Sequence, residues 1–297
     1  MNIASLNEKY ALDGHIRFAE DKGLPVAIIN TQFAESEISL YGAQVLTYKP
    51  KGQQDVLWMS EKSLFEAGKA IRGGIPVCFP WFGPHPKDNQ KPMHGFARLL
   101  TWKVSGTTVL ANGAAELRLS LVDSLATKAI WPFSFRAEMI ISIGACLEVT
   151  LQYANTGNET FVCSNALHSY FQVSNINNIS VNGLSGTNYY VGADKESLTK
   201  QTDPLLIVQN EENRRYIDHV ADCIIDDTGY NRKIRVAKRG SKVTVVWNPW
   251  DGAKNFADMT PEGYKTMVCV EAVNAYDDVV NLAPGKSFSI STIISVE

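Results

Sequence analysis

The sequence is poor in features that mark secreted, membrane-spanning and metal-binding proteins. Its five cysteines are spread singly along 297 residues and lack the C-x-x-C spacing of redox and zinc sites, so we expect buried thiols in a reducing compartment. No uncharged apolar run approaches the ~20 residues needed to cross a bilayer, and the first residues lack the basic-then-apolar order of a secretory signal. We therefore expect a cytoplasmic protein with no membrane association.

Blocks of one charge sign are also absent. The chain has 28 Lys and Arg against 31 Asp and Glu, a net charge of −3, whereas duplex binding needs a concentrated basic face. Nucleic acid is therefore not an expected partner. A hydrophobic fraction of 45% is typical of an ordinary globular protein with ample material for a core, and we expect a monomer that binds a small molecule.

Helical periodicity is scarce as well, with short helical turns expected only around 61–67 and 124–128. Alternating or β-branched segments dominate instead, separated by turn signals such as Asn112-Gly113. No linker divides the chain and no 20- to 50-residue repeat is present, which disfavours propellers and solenoids. The pattern predicts an all-β protein in which residues 1–297 form one large antiparallel β-sandwich. The expected strands are 25–30, 36–40, 44–48, 99–105, 115–122, 135–143, 146–153, 160–173, 179–181, 205–208, 222–226, 233–238, 242–247, 265–273 and 287–295.

The segment 71–98 concentrates arginine, histidine, glycine, proline and aromatic residues. This mixture suits a stiff binding surface and does not suit a helix. Arg72 and Arg98 offer planar, permanently charged groups that fit a phosphate or a carboxylate. The segment is therefore a candidate binding site.

Two residue pairs within that segment carry further expectations. Gly73-Gly74 is expected to let the backbone approach a ligand where a Cβ would collide. Trp81 and Phe82 are expected to supply a flat apolar wall for a sugar ring. Read singly, each of these residues also fits an ordinary turn or core role.

Two residues far downstream suggest acid–base chemistry. Glu271 interrupts the apolar run 267–273, where a carboxylate is rarely placed without a partner or a function. Strand alternation places His168 on one face with Ala166 and Tyr170. Each residue also has a structural reading, Glu271 in an ion pair and His168 as a hydrogen-bonded strand histidine.

The chain resembles the aldose 1-epimerases of the galactose-mutarotase-like fold, and among them the D-hexose-6-phosphate mutarotase branch. The resemblance runs nearly from end to end and rests on a set of motifs. These motifs are YGAQV at 41–45, IRGGIPVCFPWFG at 71–83, HGFAR at 94–98, ALHSYF at 166–171, VWNP at 246–249 and GYKTMVCVE at 263–271.

The resemblance implies a role for each matching residue. Glu271 corresponds to the general base that takes the proton of the anomeric hydroxyl, and His168 to the general acid that protonates the ring oxygen. His94 is implied to bind and polarise the sugar near that oxygen, and Asp218 to bind ring hydroxyls. The ring would open to the aldehyde, rotate about C1–C2 and close on the other face, with no metal and no cofactor.

The hexose-phosphate branch is indicated by Arg98 and the proline-rich loop 80–86. Arg72 and Arg98 are accordingly expected to hold the phosphate of a hexose 6-phosphate, with glucose 6-phosphate as the expected substrate. Three alternatives stay open from the residues: a mutarotase of unphosphorylated aldoses, a non-catalytic carbohydrate-binding or sugar-sensing protein, and a metal hydrolase. The last would require His85, His94 and His168 to converge on a metal ion.

Overall fold

The computed structural model describes residues 2–192 and 197–297. Within these ranges the strands outnumber the helices by far. The helices are α1 (Ile3–Tyr10) and α2 (Leu125–Ile130). The strands are β1 (Ile16–Asp21), β2 (Leu24–Asn30), β3 (Ala34–Ser39), β4 (Gln44–Pro50), β5 (Val77–Cys78), β6 (Lys103–Val109), β7 (Ala115–Val122), β8 (Phe135–Ile143), β9 (Leu147–Asn155), β10 (Phe161–Cys163), β11 (Asn165–Leu167), β12 (Tyr170–Gln172), β13 (Ile179–Asn182), β14 (Asn188–Val191), β15 (Thr199–Lys200), β16 (Glu212–Tyr216), β17 (Cys223–Asp227), β18 (Arg232–Arg239), β19 (Val243–Asn248), β20 (Met267–Asn274), β21 (Val280–Leu282) and β22 (Ser287–Val296).

The strands form two large antiparallel sheets and two smaller ones. The first large sheet, called here the site sheet, has the order β15-β14-β16-β19-β20-β11-β5, with β12 also paired to β20. The second, called the regular sheet, has the order β13-β17-β18-β22-β9-β8-β7-β6. Strands β1 to β4 form a four-stranded sheet, and β10 pairs with β21. This architecture confirms the predicted all-β antiparallel fold; the single-domain arrangement of residues 1–297 stays a prediction.

The regular sheet follows the simple alternation that its sequence predicts. In β8 every second residue, from Phe135 to Ile143, is buried, and the residues between them are more exposed. Successive strand side chains point to opposite faces, so this pattern puts one apolar face into the core. The bounds of β7 and β8 match the predicted strands 115–122 and 135–143.

The predicted strand 160–173 is instead divided into three short strands. β10 pairs with β21, β11 pairs with both β20 and β5, and β12 pairs with β20. Most residues of the three segments are buried, which accounts for the apolar character of the run, but the segments differ in their hydrogen-bonding partners. The interruption between β11 and β12 falls at His168 and Ser169.

Three other local predictions have mixed outcomes. The helical turn expected around 124–128 is α2, capped by Ser124 through a capping box with Thr127. No helix forms at 61–67, and the stretch 205–208 makes only the single bridge between Val181 and Leu206. Along the described stretches of chain, no helix is long and apolar enough to cross a membrane.

Candidate active site

The strand register brings His168 and Glu271 face to face. In the pairing of β11 and β12 with β20, Ala166 lies opposite Val273 and Tyr170 lies opposite Cys269. The same register continued through the gap between β11 and β12 places His168 opposite Glu271. The His168 Nε2 and Glu271 Oε1 atoms are 3.4 Å apart, so two residues distant in the sequence form one carboxylate–imidazole pair.

This pair is almost withdrawn from solvent. Glu271 is 2% exposed and His168 9% exposed. Burial raises the pKa of Glu271 well above its ordinary 4.5, because an ionised carboxylate loses its hydration. Burial also lowers the pKa of His168 well below 6.5, and electrostatic interactions with His94, Arg98 and Arg72 lower it further.

The two shifts fix the number of protons that the pair holds. Between the lowered pKa of His168 and the raised pKa of Glu271, the pair carries one proton, and the two groups titrate together. Within the described residues, Glu271 Oε2 and His168 Nδ1 have no hydrogen-bond partner. Buried polar atoms are normally satisfied, so these two atoms mark the pair as a site for a bound ligand.

His94 is held in one tautomer beside the pair. Its backbone N–H donates to Gly83 O at 2.7 Å, and the Gly83 N–H donates back to His94 Nδ1 at 3.1 Å. Since Nδ1 accepts, neutral His94 carries its proton on Nε2. Burial, followed by the charges of Arg98 and Arg72, lowers the pKa of His94 to about 3, so the ring is a neutral donor near pH 7.

Phe82 and Tyr170 lie beside the catalytic-pair candidates, and Trp81 is buried and hydrogen-bonded within the protein; the sugar wall of Trp81 and Phe82 stays a prediction. The Phe82 ring centroid lies 5.0 Å from that of His94 and 6.5 Å from that of His168. Tyr170 stacks on His168 at 4.8 Å, on the shared face that strand alternation predicts. Trp81 is 4% exposed and its Nε1–H donates to Pro92 O at 2.9 Å.

The Arg72 guanidinium already donates hydrogen bonds to other protein groups. Its Nε and Nη2 donate to the two carboxylate oxygens of Asp258 at 3.1 and 3.0 Å, and its Nη1 donates to the Tyr170 hydroxyl at 3.2 Å. Sequence reasoning did not identify Asp258, because no local pattern links positions 72 and 258. A guanidinium has five N–H donors, so two remain after these three bonds.

Arg98 makes fewer hydrogen bonds to protein groups than Arg72 does. Its Nη2 donates to Met93 O at 2.8 Å, and its Nε is buried with no hydrogen-bond partner within the described residues. Both arginines act electrostatically on His94 and His168. The site therefore carries a positive potential that favours an anionic ligand.

Arg215 is a further buried cation that the sequence did not single out. It lies opposite Val245, which lies opposite Glu271, and directly opposed residues of antiparallel strands share a face. Arg215 is 2% exposed, with its guanidinium 4.2 Å from the Tyr276 ring centroid. From the sequence, an arginine at this position is expected to be solvated.

Gly73 and Gly74 serve backbone packing, which corrects the expectation that this pair accommodates a ligand. A Cβ on Gly74 would lie 2.1 Å from Val45 O, and one on Gly73 would lie 2.5 Å from Trp58 O. Both glycines also have positive φ, 60° and 116°. Glycine is required here because two protein segments approach each other closely.

Asp218 and His85 lie outside this arrangement. Asp218 is exposed, two residues past the end of β16, and in the described ranges no hydrogen bond or ion pair joins it to His168 or Glu271. His85 packs edge-on against Trp81 at 4.7 Å. The metal-ligating atoms that do come together belong to His168, Cys269 and Glu271, so the His85–His94–His168 set of the hydrolase alternative does not form.

A large cavity adjoins the pair without including it. Its volume is about 840 Å³, and its lining includes Phe82, Tyr276 and Trp131 but neither His168 nor Glu271. Phe82 thus contacts both the cavity and the two histidines. We place the candidate site at the pair because it combines two titratable groups in contact with buried atoms that have no hydrogen-bond partner among the described residues.

The fold and the site together define a class of protein: an antiparallel β protein with a buried acid–base pair beside cationic side chains. Comparison with known proteins agrees, since residues 26–295 match the family described as aldose 1-epimerase. The chain therefore belongs to the aldose 1-epimerase family, a family of sugar mutarotases.

Individual relatives support this assignment. The chain is 35% identical over 256 residues to a Salmonella typhimurium protein named "putative glucose-6-phosphate 1-epimerase", covering 85% of this chain and 84% of the relative. An Escherichia coli protein of the same name is 34% identical over 253 residues, with coverages of 85% and 84%. The crystal structure of "a putative mutarotase (YeaD)" from Salmonella typhimurium superposes with a TM-score of 0.89 at 31% identity, covering 97% of this chain and 95% of that one.

Proposed function

We propose that this enzyme interconverts the α and β anomers of a hexose 6-phosphate, with glucose 6-phosphate as its substrate. The observation that carries the proposal is the buried Glu271–His168 pair, with 3.4 Å between its nearest carboxylate and imidazole atoms. The names of the relatives at 34–35% identity point to the same substrate. We also propose a cytoplasmic monomer that takes a sugar phosphate and no nucleic acid or membrane.

In the proposed mechanism, Glu271 removes the proton of the anomeric hydroxyl while His168 donates a proton to the ring oxygen. The ring C–O bond breaks to give the aldehyde, the C1–C2 bond rotates, and the reverse proton transfers close the ring. General acid–base catalysis by positioned groups accelerates such steps by about 10²–10⁴-fold. No net proton is gained or lost by the pair over the cycle.

The buried environment determines which protonation form of the pair is favoured. Before opening, the acting groups are a carboxylate and an imidazolium; after opening, they are a carboxylic acid and a neutral imidazole. Burial stabilises the uncharged forms of both groups, as the raised pKa of Glu271 and the lowered pKa of His168 indicate. In the free enzyme the shared proton therefore rests on Glu271, and it must pass to His168 before the ring opens.

His94 and Asp218 complete the proposed sugar contacts. With Nδ1 accepting from Gly83, the Nε2–H of His94 is available to donate to the sugar near its ring oxygen. Asp218, exposed at the end of β16, is proposed to bind ring hydroxyls at the rim. The second role rests on the family resemblance.

The phosphate is proposed to bind between Arg72 and Arg98. Charge-assisted hydrogen bonds contribute about 1.5–3 kcal/mol each. Arg98 is the stronger contributor in this proposal, because the Asp258 carboxylate already compensates Arg72 through two hydrogen bonds. That same ion pair is the observation that favours the second candidate, a mutarotase of unphosphorylated aldoses.

Anomer-exchange NMR separates these candidates. The rate of α–β exchange is measured for glucose 6-phosphate, galactose 6-phosphate and glucose, with and without the protein. We expect strong acceleration for glucose 6-phosphate and little for glucose. Faster exchange of glucose would refute the phosphate assignment, and no acceleration of any sugar would favour a non-catalytic carbohydrate-binding protein.

A further inference from the structure

The acid–base pair has a third neighbour, Cys269, that the proposed mechanism does not use. Cys269 precedes Glu271 by two positions in β20, so both side chains point to the same face of the strand. One ligand atom each from His168, Cys269 and Glu271 lies within 4.8 Å of the others. A thiol, an imidazole and a carboxyl group therefore converge on one point.

These distances suit a tetrahedral metal ion with three protein ligands. Zinc binds sulfur at about 2.3 Å, nitrogen at about 2.0–2.1 Å and carboxylate oxygen at about 2.0–2.2 Å, so neighbouring ligand atoms lie about 3.3–3.6 Å apart. The His168 Nε2 and Glu271 Oε1 atoms already meet this requirement at 3.4 Å. Closing the widest separation of 4.8 Å needs about 1 Å of side-chain movement.

We infer that His168, Cys269 and Glu271 bind a thiophilic divalent cation such as Zn²⁺ or Cd²⁺, and that this ion inhibits the enzyme by occupying the proton-transfer pair. The inhibition, unlike the binding, rests on the proposed function. The fourth coordination position faces the sugar site and takes water or a sugar hydroxyl. The ion is a regulator or a toxic inhibitor and takes no part in the sugar chemistry.

Charge balance at the three ligands supports this assignment, against the opposing positive charge of Arg72 and Arg98. A thiolate, a carboxylate and a neutral imidazole together cancel the charge of a divalent cation, and a neutral complex suits a buried position. Binding breaks the S–H bond of Cys269 and the O–H bond of protonated Glu271, forms the metal–sulfur and metal–oxygen bonds, and releases two protons to solvent. Affinity therefore rises steeply with pH, by up to about 100-fold per pH unit while both groups start protonated.

The surroundings favour reversible binding over a permanent metal centre. Metal-ligating histidines usually donate their second ring N–H to a fixed acceptor, and loss of that contact weakens affinity by about 10–100-fold. His168 Nδ1 has no such partner within the described residues. We expect the ion to be removed by dialysis against EDTA, with full recovery of the metal-free enzyme.

The test is a titration of the full-length, EDTA-treated protein with Cd²⁺, followed by the ultraviolet absorption of thiolate-to-cadmium charge transfer. Anomer exchange of glucose 6-phosphate is measured in the same samples. We expect one equivalent of Cd²⁺ to saturate the absorption and to stop the exchange in parallel. Glucose 6-phosphate in excess should weaken Cd²⁺ binding.

Two matched cysteine variants test whether Cys269 supplies the thiolate that binds Cd²⁺. Cys269→Ala should lose the absorption. Inhibition of this variant, measured against its own metal-free exchange rate, should require at least about 10-fold more Cd²⁺ than inhibition of the wild type. Cys163→Ala removes another buried thiol and should behave as wild type. An unchanged absorption in Cys269→Ala, or no absorption in the wild type, would overturn the site.

A further measurement on the wild type keeps the test independent of variant folding. Zinc X-ray absorption should show one sulfur at about 2.3 Å and nitrogen or oxygen at about 2.0–2.2 Å; a shell without sulfur would overturn the site. Stoichiometric binding at Cys269 that leaves anomer exchange unaffected would support the metal site and would contradict the catalytic role proposed for the pair.

Discussion

Strand β8 of the regular sheet and strand β20 of the site sheet use burial in opposite ways. In β8 of the regular sheet, buried and more exposed positions alternate, and the buried ones are apolar. In β20 of the site sheet all eight residues are buried, including Glu271. The comparison teaches that β8 keeps its polar residues toward solvent, whereas β20 buries a carboxylate, a costly placement that favours a functional role for Glu271.

Removing the pair should abolish activity with little loss of structure. Glu271→Gln and His168→Asn are each expected to slow anomer exchange of glucose 6-phosphate by about 10²–10⁴-fold, because each removes one proton-transfer group. Exchange NMR gives the rate and far-ultraviolet circular dichroism checks the fold. A folded Glu271→Gln protein with the wild-type rate would break the contrast between the two sheets.

A core substitution in the regular sheet should lower the stability of the protein without lowering its activity. Leu119→Ala in β7 removes a fully buried side chain, which should lower the free energy of unfolding by about 2–5 kcal/mol through lost burial and a cavity. Urea denaturation measures this loss. The exchange rate per folded molecule should stay at the wild-type value; a large fall in that rate would mean that the two sheets are coupled more tightly than their roles suggest.

Arg98 should control the preference for a phosphorylated over an unphosphorylated sugar. Arg98→Gln is expected to raise the KM for glucose 6-phosphate by about 10–100-fold, the loss of one charge-assisted interaction of about 1.5–3 kcal/mol. The rate with unphosphorylated glucose should not change. Arg136→Gln, an exposed arginine of β8 in the regular sheet, serves as the control and should leave both KM values unchanged.

The two sheets also differ in how far the sequence alone predicts them. The bounds of β7 and β8 follow from period-two alternation, which depends only on one apolar face. The site sheet breaks that rule: the run 160–173 is divided by the pairings of β11 and β12, and two-residue β5 has too little pattern to detect. Local periodicity carries no information on which distant strand supplies a partner.

The residues of the candidate site also divide into those that the sequence could predict and those that it could not. Glu271 and His168 could be selected because one interrupts an apolar run and the family motifs include both. The sequence could not predict that Asp258 pairs with Arg72 or that Arg215 is buried. Each of these features depends on contacts between segments that are remote in sequence. The glycine pair at 73 and 74 was selected for the wrong reason, since backbone packing and ligand approach favour the same residue.

The smallest expected effect is a gain in stability. The folded-state pKa of Glu271 is raised above 4.5, so its contribution to stability is full below pH 4.5 and is lost as pH rises toward the folded-state value. Glu271→Gln removes this loss and should raise the free energy of unfolding near pH 8 relative to wild type. Urea denaturation from about pH 5 to 8 should show the difference widening with pH; a constant or narrowing difference would contradict the burial argument.

The most direct test of the central claim is the anomer-exchange rate of glucose 6-phosphate in Glu271→Gln, His168→Asn and the double variant. Two groups that transfer protons as one unit give non-additive losses. The account predicts that the double variant is no slower than the slower single variant. Losses that multiply, or a single variant with the wild-type rate, would contradict the claim that this buried carboxylate and imidazole act together.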